Sequence, residues 1–195
     1  MENNTYNIYL FKALDAYPYD LEGTMEALTY ALSYTPNCAQ ALLLMAKLHS
    51  EQLRDYNGAK FYFEKALAND INFVEIYPAY ARSLLQNDDF AEAQKLIDFA
   101  LTIKGIDKAS IYLIQGQLHE NFEAFDKAEE ALREAKRFGL NNSFIEFVND
   151  EIARIEKKRK VMKGKLKKEE ESLPKEKVKE KNSNSWFKDR LNGLL

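Results

Sequence analysis

The chain has 195 residues, enough for one or two domains, and 46% of them are hydrophobic against 30% charged. Seven glycines and four prolines are too few for a turn-dense β-sandwich or barrel, and one cysteine, Cys38, excludes an internal disulfide and a zinc-finger ligand set. The net charge of -3 hides an asymmetry: residues 1–150 carry 13 basic and 23 acidic side chains, whereas residues 151–195 carry 15 and 8.

The first residues, Met1-Glu-Asn-Asn-Thr-Tyr-Asn, show no basic region followed by an apolar stretch. No run approaches the roughly 20 apolar residues that span a bilayer. A cytoplasmic, helical protein is expected.

In chain order, four segments superimpose. They are Thr24-Met-Glu-Ala-Leu28-Thr-Tyr-Ala31, Ala59-Lys-Phe-Tyr-Phe63-Glu-Lys-Ala66, Ala93-Gln-Lys-Leu-Ile97-Asp-Phe-Ala100 and Ala128-Glu-Glu-Ala-Leu132-Arg-Glu-Ala135. Each has a small residue, a large apolar one four later, and alanine three after that. The final alanines recur at spacings of 35, 34 and 35. A second set of apolar and small residues precedes each segment: Ile8, Phe11 and Lys12, then Leu42, Met45 and Ala46, then Tyr77, Tyr80 and Ala81, then Tyr112, Gln115 and Gly116. Lys12 sits where the other sets have a small residue. One extra residue falls near Leu53–Tyr56, and Pro36 ends the first unit.

This pattern resembles the tetratricopeptide repeat, a helix–turn–helix unit of about 34 residues whose second helix carries Ala-x3-Phe. The resemblance covers roughly residues 5–140. It implies an all-α fold, a right-handed α-solenoid superhelix of about four repeats at 5–37, 38–72, 73–106 and 107–142. Small residues would let helices nest closely, and each hairpin would bury its apolar face on its neighbours.

After Gly139, read as a glycine helix stop, Ser143-Phe-Ile-Glu146 reads as a capping box. Apolar residues at Ile145, Val148, Ile152, Ile155, Met162 and Leu166 predict a capping helix over 143–171, its second half free or paired with another chain. Eight basic residues and no acid lie between Lys157 and Lys168. Three readings stand for them: charge complementing the acidic body, contact with an anionic membrane surface, or phosphate binding on nucleic acid. A charged linker, 172–184, leads to an amphipathic terminal peptide, 185–195, with Trp186, Phe187, Leu191, Leu194 and Leu195 on one helical face. That peptide is expected to dock on this body, on a neighbouring copy or on a partner, or to touch a membrane.

His49 and His119 fall at one repeat position and read as packing residues, too far apart to share a metal. Asp88-Asp89 and Glu129-Glu130 read as solvated helix ends and faces. No set of residues combines nucleophile, base and oxyanion donor, so no enzyme, cofactor or metal is expected.

The resemblance places the first helices on a concave inner surface. The inner positions would be Tyr6, Tyr9 and Ala13, then Gln40, Leu43 and Lys47, then Glu75, Pro78 and Arg82, then Ser110, Leu113 and Gln117. It implies a scaffold or adaptor that holds a peptide or helix of another protein there. The two-carboxylate clamp by which some relatives hold chaperone C-termini is missing: its places hold Tyr9 and Ala13, Leu44, then Glu75 and Ala79.

Overall fold

A computed structural model describes the backbone of residues 8–172 and the side chains of residues 8–165. It is helical, with no strand among the described residues. The helices are α1 (Ile8–Ala16), α2 (Leu21–Tyr34), α3 (Ala39–Lys47), α4 (Tyr56–Asn69), α5 (Ile76–Gln86), α6 (Phe90–Ala100), α7 (Lys108–Asn121), α8 (Phe125–Phe138) and α9 (Asn142–Ser172). Two compact units, Met1–Lys158 and Arg159–Leu195, meet within α9. In the second unit the side chains of Lys160, Val161, Lys163 and Lys165 are exposed.

The first unit is a stack of four hairpins. All twelve repeated positions of the second helices are buried: Thr24, Leu28 and Ala31; Ala59, Phe63 and Ala66; Ala93, Ile97 and Ala100; Ala128, Leu132 and Ala135. Each apolar cluster straddles a hairpin boundary. Ala27, Leu28 and Ala31 of α2 pack with Ala41, Leu44 and Met45 of α3. Phe63 and Ala66 of α4 pack with Ile76 and Tyr80 of α5, and Ile97 and Ala100 of α6 with Ile111 and Ile114 of α7. No hairpin has a core of its own, which is the nearest-neighbour logic of a repeat array.

Close approach is set by small side chains. At Gly116 on α7 a Cβ would lie 2.9 Å from both Cγ and Cδ2 of Leu132 on α8. In the first hairpin the small position is Ala13, which is fully buried, and not Lys12, which is exposed. The first hairpin is therefore one residue out of the expected register. The extra residue of the second hairpin is absorbed as a π-helical turn, Leu48–Leu53, ending on Arg54 at φ 53°. A single widened turn takes up one residue without disturbing the helices on either side.

Aspartates open three helices. Asp20 accepts from the Gly23 N–H at 2.9 Å, Asp55 from Gly58 N–H at 3.0 Å, and Asp107 from Ser110 N–H at 3.1 Å. Each satisfies one of the orphan donors of a first turn.

Two terminus readings need correction. Gly139 ends α8 in extended backbone, φ -64° and ψ 130°, not the left-handed form. Its lack of a side chain serves space instead, since a Cβ would lie 2.9 Å from Phe144. The residue capping α9 is Asn141, whose Oδ1 accepts from the Phe144 N–H at 2.8 Å, rather than Ser143. Val148 and Ile155 of α9 are buried against Leu113, Leu132 and Ala135, so the first half of α9 closes the fourth hairpin.

Candidate groove on the first helices

Counting from the small residue of each first helix aligns the inner positions. Three residues before it stand Leu10, Leu43, Pro78 and Leu113; one residue after it stand Leu14, Lys47, Arg82 and Gln117. Of the first set Leu43 and Pro78 are half-buried whereas Leu10 and Leu113 are buried, and the second set joins the apolar Leu14 to the polar Lys47, Arg82 and Gln117. Helices in contact pack about 8–10 Å apart, so neighbouring members of a row are within reach of one bound chain.

Several expected inner residues take other places. Tyr9 stacks on Tyr30 and Tyr34 of α2, with ring centroids 5.2 and 5.7 Å apart, and Lys12 Nζ lies 5.3 Å from its ring. The one-residue register shift turns Tyr9 away from the row and brings Leu14 into it. Ala13, expected on the inner face, is buried in the first core cluster. Leu113, expected to be open, is 6% exposed because α9 lies over it. Leu43, Lys47, Pro78 and Gln117 are half-buried, and Glu75 and Arg82 are exposed. Tyr6 lies outside the described residues, as do Trp186, Phe187, Leu191 and Leu194. In the shifted register the first-repeat clamp places hold Leu10 and Leu14, which cannot bind a carboxylate any better than Tyr9 and Ala13.

Two of the row's side chains, Lys47 and Arg82, are cations. Ion pairs join Lys60 to Glu92, Arg133 to Glu129, Arg137 to Glu134, and Arg154 and Lys158 to Glu120. Among the described residues neither Lys47 nor Arg82 forms an ion pair. They stand one hairpin apart, on adjacent first helices, in a body of net negative charge.

At the C-terminal end of the row Glu120 of α7 is claimed by α9. It accepts from Arg154 Nη1 and, at 2.6 Å, from Arg154 Nη2, and also from Lys158 Nζ. The Arg154 hydrogen bonds, followed by that of Lys158, hold the Glu120 carboxyl below its ordinary range against the opposing effect of burial. Lys158 of the basic stretch therefore complements an acid of the body. This cluster is visible in sequence only as charges 34 and 38 residues apart, with nothing local to join them.

Several other titratable groups take part in packing. His49 Nδ1 lies 2.8 Å from Asp55 Oδ2, and its ring tilts on Tyr62 at 5.2 Å. His119 is half-buried, and desolvation lowers its pKa. Tyr17 donates to Glu51 across the first two hairpins, and burial, then that carboxylate, push its pKa to about 12. Glu129, expected to be solvated, is buried on α8 beside Arg133. Among the described residues no group of three or more His, Cys, Asp or Glu could hold a metal ion, and no helix is long and apolar enough to cross a membrane.

No family model and no curated protein matches the sequence. Solved structures do match the fold. A structure of PilF from Pseudomonas aeruginosa superimposes with a TM-score of 0.69 at 19% identity, covering 79% of this chain and 68% of that one. A structure of MamA gives 0.58 at 21%, covering 87% and 94%. A fragment of MamA from Desulfovibrio magneticus RS-1, residue 41 to the end, gives 0.60 at 19%, covering 80% and 92%. Identities this low speak to fold alone, and PilF and MamA are tetratricopeptide-repeat proteins. With four hairpins nested on small residues and closed by a final helix, the chain has the fold of the tetratricopeptide-repeat proteins.

Proposed function

We propose that the chain is a non-catalytic protein-interaction scaffold whose inner row of first-helix side chains holds a peptide or helix of another protein. Its working parts are the repeat units 5–37, 38–72, 73–106 and 107–142, the capping and basic helix 143–171, the linker 172–184 and the terminal peptide 185–195, which docks as a second, tethered ligand. The single observation that carries the reading is the pair Lys47 and Arg82, two cations without an ion pair beside the apolar Leu43 and Pro78. Apolar contact supplies affinity for a bound chain, while a charge pair fixes its register and orientation.

The ligand suited to this row has apolar side chains on one face and a Glu or Asp placed between Lys47 and Arg82. Selection from a random peptide display library against the intact chain tests this. Enriched peptides are expected to carry an acid flanked by apolar residues and to be lost on the Lys47→Glu, Arg82→Glu double variant. Enrichment of peptides that bind the double variant equally well would remove the reading.

A further inference from the structure

On α5 the side chains open to solvent fall on one narrow stripe. Glu75, Pro78, Ala79, Arg82 and Gln86 are exposed or half-buried, whereas Ile76, Tyr77, Tyr80 and Leu84 between them are buried. Spacings of three, four and seven put the first set on one helical face. On α3 the stripe is Gln40, Leu43 and Lys47, with the same spacing, and Ala41, Leu42, Met45 and Ala46 are buried. The two stripes meet over a common apolar floor. Leu43 and Ala79 both pack on the cluster that the helices share, with Leu42 and Ala46 from α3 and Ile76 and Tyr80 from α5.

The charges at the two ends of this floor are opposite in sign. Lys47 and Arg82 stand at one end and Glu75 at the other. Glu75 and Arg82 share a helix face two turns apart, about 10 Å along the axis. Glu75 is exposed and opens α5 without capping it through its side chain, so no local bond occupies its carboxylate. Among the described residues it forms no ion pair, and neither does Lys47 or Arg82.

A bound segment that satisfies the whole floor presents an acid, an apolar patch and a base, with acid and base about 10 Å apart. In a helix those places fall at positions i, i+3 with i+4, and i+7. That is the spacing of the stripes themselves, so the rows of side chains interleave. The chain already seats one helix on such terms: α9 buries Ile155 with Leu113 of α7 and sets Arg154 on Glu120, at 2.6 Å.

We infer that α3 and α5 together receive an amphipathic helix of a partner protein that carries charges of both signs. A Glu or Asp meets Lys47 and Arg82, apolar residues three and four positions on lie over Leu43 and Ala79, and a Lys or Arg seven positions on meets Glu75. The order follows from the partner helix's own dipole, which favours the acid nearer its N-terminus and the base nearer its C-terminus. The partner helix therefore runs antiparallel to α5. The inference rests on the inner-row reading and deepens it, from an acid between two cations to an oriented helix.

The test uses peptides selected on the full-length chain from a random display library, then synthesised and measured by fluorescence anisotropy. The enriched set is expected to carry an acid, apolar residues three and four positions later, and a base at the seventh. Glu75→Lys should weaken binding at least tenfold and Glu75→Gln less, both with unchanged helicity because the side chain is exposed. Changing the peptide's base to glutamate should restore binding to Glu75→Lys. Exchanging acid and base within the peptide should cost at least tenfold, and so should proline at i+5, a position that faces away from α5. Suppose instead that the peptides are lost on Lys47→Glu, Arg82→Glu yet bind Glu75→Lys unchanged, tolerate the proline, or bind equally with acid and base exchanged. Any of these overturns the oriented helix and leaves the inner row standing. No enrichment, or equal binding to the double variant, overturns both.

Discussion

Gly116 on α7 faces Leu132 on α8 so closely that a methyl group at Gly116 would lie 2.9 Å from two atoms of the leucine and 3.3 Å from the Ala128 carbonyl oxygen. The fourth hairpin is thus held together at a point where only hydrogen fits. In the other hairpins the small residue is an alanine that shares an apolar cluster with the large one: Ala13 with Leu28, Ala46 with Phe63 and Ala81 with Ile97.

Gly116→Ala sets two effects against each other. Alanine favours the helix by about 1 kcal/mol over glycine, whereas forcing Leu132 aside costs about 1–3 kcal/mol. The side chain, not backbone alone, must yield, so a net loss of about 1 kcal/mol is expected. Gly116→Leu should cost more than the alanine change. Denaturant midpoints of the variants measure both.

Ile97→Ala and Phe63→Ala empty fully buried sites that bridge two hairpins. Losses of about 2–5 kcal/mol are expected, and the unfolding transition should broaden if the array then melts hairpin by hairpin. Far-UV circular dichroism through a thermal ramp checks this.

The Glu120–Arg154 contact joins α7 to α9 and has a signed pH dependence. The folded state lowers the Glu120 pKa, so its stabilisation is complete above the ordinary glutamate range, about 4.3, and is lost as pH falls through the lowered value. Arg154→Gln should therefore destabilise by about 1–2 kcal/mol at pH 7, a modest figure because the Arg154 side chain is 40% exposed. In acid the curves for the two proteins should converge. A gap that persists once Glu120 is protonated would contradict the assignment.

Asp55 closes the first turn of α4 and also meets His49. Asp55→Ala should cost about 1 kcal/mol, as cap removals do, and should speed amide exchange at Gly58. Asp55→Asn retains an acceptor and should lose less.

Much of the fold was legible because the second helices repeat a strict spacing. Leu28, Phe63, Ile97 and Leu132 are all buried where the sequence comparison placed them, and so are the alanines three residues on. The first hairpin was harder to read. Ile8 and Lys12 are exposed, so the packing that fixes the pattern elsewhere does not mark them, and periodicity alone could not choose between Lys12 and Ala13. That single residue moved Tyr9 out of the inner row and Leu14 into it. Asp20-x-x-Gly23 and Asp55-x-x-Gly58 stand 35 residues apart and open α2 and α4, a local signal that the repeat comparison left unused. The burial of Glu129 and of Leu113 was not readable, because each depends on a tertiary neighbour: Leu113 is covered by α9, which follows the repeats.

The central claim concerns the inner row, and a charge exchange tests it most directly. For a peptide selected on the intact chain, affinity is measured for the Lys47→Glu, Arg82→Glu variant, for the peptide with its acid changed to lysine, and for the two changes together. The account predicts at least a tenfold loss for each change alone and recovery of binding in the combination, the signature of two groups that meet. Equal affinity for the intact and charge-reversed proteins, or no recovery when both sides are exchanged, would contradict it.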